Sequence, residues 1–400
     1  MFGSNLLVGG LTGIAHLHRV LVADVGDNLV AQGKNSVFVA FFVFVYVHGR
    51  NGHRSIPFCG NLLTGECFVV FLDMYHEHMQ MEQFFLLHTI TFPQITTFFL
   101  NRYSLLVMFI LDSLRAGGAL IGLAIGDAMG APLEGLPPPG RRVRELLPGG
   151  RNPRKAGEFT DDTLQALAVA ESLAACRGFC PEDILSRMIR DFQRDPSWYG
   201  PTSGGVFTLV VQGADPGRAA ALVHGRLGGS RTNGSVMRGP PLGIWCAGPE
   251  LEAISCSLSR LTHHDPVAGA CSAWVNRMVS DLCRGRSREQ AFYRALQRCR
   301  SEEVSGYLGQ YQAASPVPGL DALEATHASL SVFMDGQDFE EVVSGAVSMG
   351  GDADTVGAIA GALAGAAFGV RGIPARWLAG LQDRERVWRA AAGLCEVAQP

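Results

Sequence analysis

No C-x-x-C pair occurs among the ten cysteines, so neither a zinc ribbon nor a thioredoxin-like redox motif is encoded. The closest two, Cys176 and Cys180, stand one helical turn apart on an apolar stretch, and reduced thiols of a cytoplasmic protein are the expectation. Basic runs are absent too. With a formal net charge of -4 and scattered arginines there is no electropositive footprint, so nucleic acid is not an indicated partner. No Lys/Arg-led signal peptide with a small-residue cleavage site opens the sequence. The longest apolar runs, Val37 to Val47 and Leu105 to Leu111, fall short of the ~20 residues that span a bilayer, and no membrane partner is expected.

Tryptophan is missing from the first 197 residues. All five Trp lie from Trp198 onward, most Phe and His precede residue 110, and Ala-rich, Arg-rich sequence begins near Leu111. The chain therefore reads as an apolar extension over residues 1–107 and a domain over residues 108–400. In the extension, clusters such as Phe38 to Phe42 alternate with short polar breaks, compatible with buried strands but without regular turn spacing, so its fold is left unassigned. Tyr75-His76-Glu77-His78 has the composition of a metal site but not its geometry, because His residues two apart do not share a helix face. Met108 opens a normal beginning for a globular domain, and translation is expected to start near it, leaving the upstream segment as either an extension outside the native protein or a poorly structured appendage.

From residue 112 onward strand-like alternation is nearly absent. Helical patterns run from Asp162 to Ala175, Pro181 to Gln193, Asp215 to Leu227, Pro266 to Cys283, Arg288 to Arg300 and Leu320 to Met334. Gly118, Gly122, Gly126 and Gly130 recur every four residues, as do Gly357, Gly361, Gly365 and Gly369, so each stretch carries a smooth groove along one helix face. An all-α fold follows, with the two glycine helices buried and tightly packed.

Two acidic clusters sit at the mouths of predicted helices: Thr160-Asp161-Asp162-Thr163 and Gly350-Gly351-Asp352-Ala353-Asp354-Thr355. Capping of orphan N–H groups explains one such cluster. The pair also suits metal binding, since carboxylates and hydroxyls from two segments make an oxygen-only ligand set of the kind Mg2+ or Mn2+ prefers over Zn2+.

Five ordered motifs carry a resemblance over about residues 112 to 400: Gly122-Leu-Ala-Ile-Gly-Asp-Ala-Met-Gly-Ala-Pro-Leu-Glu134, Phe159-Thr-Asp-Asp-Thr163, Asn233-Gly-Ser-Val-Met-Arg238, Thr262-His-His-Asp-Pro266 and Gly350-Gly-Asp-Ala-Asp-Thr-Val-Gly-Ala-Ile-Ala-Gly361. Together they resemble the ADP-ribosylglycohydrolase family, which includes the dinitrogenase-reductase-activating glycohydrolase, ADP-ribosyl hydrolases and the J1 crystallins. The resemblance implies a compact multi-helix fold with a binuclear Mg2+ or Mn2+ centre held by Thr160, Asp161, Asp162, Asp352, Asp354 and Thr355. It implies Glu134 as a gating or catalytic carboxylate, with Asp161 or Asp354 accepting a proton from water. Asn233, Gly234 and Ser235 resemble the loop that grips diphosphate and ribose, and His263 the family's cleft histidine. Their plainer alternatives are a solvated Glu134, a simple turn at Asn233-Gly234 and a cap at His263. Pro201 to Gly205 carries no acid where some branches of the family place one, which separates this chain from a mechanism that needs it.

The implied partner is an ADP-ribosylated protein or an ADP-ribose-containing small molecule, and a monomer is expected. A catalytically silent, crystallin-like protein on the same fold is the rival reading. A two-metal phosphoesterase is a third, disfavoured because neither acidic cluster has an adjacent His.

Overall fold

The computed structural model describes residues 114–150 and 154–398, together with strand residues 20–21, 29–33, 36–49, 52–61 and 67–69. The chain forms two compact units, Met1–Leu106 and Val107–Pro400. In the first, β1 (Val20–Leu21), β2 (Leu29–Gly33), β3 (Ser36–Gly49), β4 (Gly52–Asn61) and β5 (Cys67–Val69) make an antiparallel sheet. The longest pairing runs between β3 and β4, from Ala40↔Asn61 to Gly49↔Gly52, so the apolar run Val37 to Val47 is strand. The Tyr75-His76-Glu77-His78 segment and Met108 lie outside the described residues.

Among the described residues of the second unit there are helices and isolated bridges but no strand. Its first helix is α1, residues 114–130, prolonged by the 3-10 turn Ala131–Leu133. Next come α2 (Asp161–Cys176), α3 (Pro181–Arg194), α4 (Pro201–Val211), α5 (Pro216–Leu227), α6 (Gly234–Met237), α7 (Pro240–Trp245) and α8 (Leu251–Arg260). The second half holds α9 (Pro266–Cys283), α10 (Arg288–Arg298), α11 (Glu302–Gly309), α12 (Ala322–Asp335), α13 (Phe339–Val347), α14 (Ala353–Phe368), α15 (Ala375–Gly380) and α16 (Arg384–Val397). Many starts are written in the sequence: proline stands in the first turn of α3, α4, α5, α7 and α9, where its missing N–H costs nothing.

Several expected boundaries move. The pattern from Arg288 ends at Arg298, because Ser301 accepts the Val304 N–H and starts a new helix. The pattern from Leu320 begins at Ala322, because Asp321 caps it by accepting from Leu323 and Glu324. Helix α4 was not expected, since its Gly204-Gly205 pair is a poor helix former; Pro201 and the packing of Val206 and Phe207 outweigh that propensity. The apolar segment Leu114–Leu133 spans 20 residues, longer than the runs read from sequence, and is long and apolar enough to cross a membrane; 89% of its most apolar window is buried inside the fold, as a core helix requires.

Helix α9 is central, buried nearly along its whole length and packed by α7, α8, α10 and α14. The contact that organises the site is between α1 and α14. Gly118, Gly122, Gly126 and Gly130 abut the backbone carbonyls of Gly365, Gly361, Gly357 and Ala353, and a Cβ at any of the four would overlap them. The order reverses along the two helices, so they run antiparallel with main chain against main chain over four helical turns. The C-terminal end of α1 is thereby held against the N-terminal end of α14.

Adding a methyl here should destabilise even though alanine favours helix. Gly126→Ala and Gly361→Ala are expected to lower unfolding free energy by ~1–3 kcal/mol through overpacking. Gly225→Ala, in α5 with nothing within 4 Å of its virtual Cβ, should instead gain about 0.4–1 kcal/mol. Urea denaturation of the three variants checks this, and equal stability of Gly126→Ala and the parent would remove the ladder's structural role.

Candidate active site

The junction of α1, α2 and α14 gathers carboxylates that are far apart in sequence. Asp127 is the single acid within the glycine-striped helix α1, fully buried. Its carboxylate accepts from the Thr160 N–H at 2.9 Å, the Thr163 N–H at 3.0 Å and the Thr163 hydroxyl at 2.6 Å. These bonds clamp the mouth of α2 onto the last turns of α1. Thr160 is the N-cap of α2, its hydroxyl accepting from the Asp162 N–H at 3.3 Å.

At the mouth of α14, Gly350 and Gly351 adopt left-handed φ values of 70° and 62°, and a Cβ on Gly351 would strike the Pro318 carbonyl. Only glycine combines that backbone with that close approach. Gly351 exchanges hydrogen bonds with the segment after Glu134: Gly135 N–H to Gly351 O at 2.7 Å and Gly351 N–H to Leu136 O at 2.8 Å. Asp352 donates its N–H to Pro318 O at 2.9 Å. It is the N-cap of α14, yet its carboxylate makes no capping bond to that helix; it accepts instead from the Asn233 side-chain amide. Capping alone therefore accounts for Thr160 but not for Asp352.

The two acidic clusters meet. Burial pushes the Asp162 carboxyl well above its ordinary range, and the charges of Asp354, Asp127, Asp161 and Asp352 add to the shift. Asp354 is pushed the same way by burial, then by Asp352, Glu134 and Asp127. For Asp161, burial and the Asp127 charge raise the pKa to about 8, against a hydrogen bond from Gln165 and the opposing charge of Arg154. Asp352 and Asp127 are also raised by burial, each opposed by its hydrogen bonds. Glu134, half-buried, bears electrostatically on Asp161, Asp352 and Asp354. Asp162 Oδ2 is buried with no hydrogen-bond partner. Among the described residues no group of three or more acid, imidazole or thiol side chains stands already arranged as a metal-ligand set.

Asp161 is oriented from behind. Its Oδ2 accepts from Gln165 Nε2 at 2.9 Å, and Gln165 Oε1 accepts from Arg238 Nη1 at 3.0 Å. Arg238 is fully buried and also donates to the Gly234, Leu258 and Ser259 carbonyls. The relay thus ends on the loop that opens α6.

That loop stands differently from what residue types alone suggest. Asn233 joins the site through Asp352 and also donates to Gly319 O at 3.3 Å. Ser235 is fully buried, and its hydroxyl turns inward to Ala268 O at 3.0 Å. His263 is buried beneath Gly234, with Nε2 on the Thr232 hydroxyl at 2.8 Å and Nδ1 on the Thr262 hydroxyl at 2.7 Å. Burial and the Arg238 charge hold its pKa well below the usual range, so it stays neutral. The Thr355 hydroxyl lies near Met237. Sequence reasoning gave no role to Asp127, Gln165 or Arg238. The signal for Asp127 was available: a lone charge between Gly126 and Gly130 on a buried helix must have partners.

Residues 111–400 match the model of the family described as ADP-ribosylglycohydrolase. The ADP-ribosyl-[dinitrogen reductase] glycohydrolase of Rhodospirillum rubrum is 32% identical over 280 residues, covering 67% of this chain and 90% of that protein. ADP-ribosylarginine hydrolase Tri1 of Pseudomonas putida (strain GB-1) is 29% identical over 282 residues, 66% of this chain and 73% of that protein. A solved structure described as an ADP-ribosylglycohydrolase-related protein complex superposes with a TM-score of 0.63 at 32% identity, covering 72% of this chain and 99% of its own. By its matched length and its helical fold, this chain belongs to the ADP-ribosylglycohydrolase family.

Proposed function

We propose that the chain hydrolyses the glycosidic bond between ADP-ribose and a modified protein side chain or small molecule, with two divalent cations, Mg2+ or Mn2+, held by Thr160, Asp161, Asp162, Asp352, Asp354 and Thr355. The observation that carries this reading is the buried group of mutually repelling carboxylates in which Asp162 Oδ2 has no partner. Such an oxygen-only set is unfavourable empty and suited to a hard cation. When bound, a cation pair supplies orientation of the ribose hydroxyls and acidification of a water.

The protein's own contributions follow from position. Asp161, fixed by Gln165, and Asp354, at the first turn of α14, are the candidates to accept the proton of the attacking water. Glu134, at the rim, is placed to return a proton to the departing group. Asn233 holds Asp352 and spends its own N–H on the Leu320 carbonyl, so the Gly234 and Ser235 N–H groups are the candidates to meet the diphosphate. His263 acts from behind, setting the height of Gly234, as a positioning residue. The relatives' names specify dinitrogen reductase and ADP-ribosylarginine, which supports an ADP-ribosylated protein as the partner.

Asp352→Asn and Asp354→Asn keep side-chain volume while removing the charge a hard cation needs. Each should lose ADP-ribose release by orders of magnitude while the protein stays folded. Full release by both at limiting Mg2+ would sink the two-cation mechanism. Divalent cations should also raise the melting temperature, by the equivalent of ~2.7 kcal/mol at a hundredfold excess over Kd.

A pH prediction concerns the chelated protein. A carboxyl whose folded pKa is raised contributes stability fully present below its unfolded value and lost as pH rises through the folded one. For Asp161 that window runs from 3.8 to about 8. In EDTA the melting temperature should therefore fall as pH rises across this window, and Asp161→Asn should flatten the slope. A slope unchanged by the substitution would mean that Asp161 ionises freely in the fold.

A further inference from the structure

Roughly two turns along α9 from Ala268, whose carbonyl meets Ser235, a cavity of about 150 Å3 opens between α8, α9 and α10. None of the site residues described above lines it. Its charged groups are Arg277, Arg298, Arg300 and Glu252, set against an apolar wall that includes Trp274 and Ala295. Arg277 is only 6% exposed. Its Nη1 donates to Ala247 O at 2.8 Å and its Nη2 to Gly248 O at 2.7 Å, which uses two of the five guanidinium N–H groups but leaves the charge without a counter-ion. The acids nearby are spent on other arginines: Asp281, one turn further on, pairs with Arg286 and Arg294 at 3.0 Å each, and Glu252 pairs with Arg300 at 3.3 Å. Arg298 is exposed and has no ion pair among the described residues. Burial and the Arg298 charge hold the Arg277 guanidinium below its ordinary pKa. The Trp274 indole N–H is buried without a hydrogen-bond partner.

A buried cation whose own contacts are all neutral gains most from an anion brought beside it. Three guanidiniums face one carboxylate in this cavity, a surplus of two positive charges that matches the charge of one phosphate group, about -2 near neutral pH. All three cations are arginine, the side chain that meets a phosphate with two parallel N–H bonds. The volume falls below the ~300 Å3 of the smallest drug-sized pockets, so it suits a small oxyanion and excludes a nucleotide. We propose that this cavity is a phosphate site, in which Arg298 supplies a free fork of donors, Arg277 supplies charge and its remaining N–H groups, and Arg300 bounds the solvent side. Its ligand is a phosphate group, either the free ion or the head of a small monoester. The site shares no residue with the glycohydrolase centre and stands independently of that reading.

Cys299 lines the same cavity and is half-buried, so its alkylation reports occupancy, while the exposed Cys176 at the end of α2 serves as a control. The full chain is treated with a maleimide at constant ionic strength, with inorganic phosphate or phenyl phosphate added, and labelling of each cysteine is followed by mass spectrometry. Inorganic phosphate should slow labelling of Cys299 saturably, by about tenfold at ten times its Kd, and leave Cys176 unchanged. Arg298→Glu, at an exposed position, should abolish the protection. Stronger protection by inorganic phosphate than by phenyl phosphate would identify the free ion as the ligand, and the reverse order a monoester. No protection of Cys299, equal slowing of both cysteines, or protection that survives Arg298→Glu would overturn the proposal. The melting temperature gives a second readout: phosphate should raise it in the parent and less in Arg298→Glu, and an identical rise in both would overturn the proposal as well.

Discussion

Main chain lying against main chain between α1 and α14 is the constraint from which the rest of the site follows. The two helices are separated by more than two hundred residues of sequence, yet the absence of side chains on their facing surfaces fixes their spacing and their reversed order. Nothing bulkier than hydrogen fits at these four crossings. Because α1 ends where α14 begins, Asp127 and Glu134 are delivered to Asp352 and Asp354 by a rigid contact instead of by loops. Asp127 then brings the third element in by holding the start of α2 through its two threonines.

Such an arrangement is costly in isolation. Several carboxylates share a buried junction, and burial combined with like charge favours protonation of each. The fold tolerates this because the surrounding packing is extensive and because some of the oxygens are individually satisfied, by Asn233, Gln165 and the α2 backbone. Asp162 Oδ2 is not satisfied. Strain confined to one junction of an otherwise well-packed helical domain is the pattern expected where a site is kept for binding and not for stability.

Much of this was legible in the sequence. The glycine spacing marked α1 and α14, and the paired glycines ahead of Asp352 marked a tight turn aimed at a helix mouth. The Asp-rich starts were visible as caps, but whether a carboxylate caps or faces elsewhere depends on side-chain direction, which spacing does not determine; Thr160 caps and Asp352 does not. Helix α4 escaped notice because local propensity argued against it, and only tertiary packing decides in its favour. The inward turn of Ser235 and the burial of His263 were likewise invisible, since both depend on α9 and on the Thr232 and Thr262 hydroxyls meeting in space.

The chain of contacts from Asp161 through Gln165 and Arg238 to the Gly234 carbonyl gives the two halves of the site a common mechanical part. Gln165 has one donor facing the carboxylate and one acceptor facing the guanidinium, so neither end can reorient without breaking the geometry of the other. Occupants of the loop and of the acids would share these hydrogen bonds, and by linkage any change that one made in the affinity for the other would be returned in equal measure.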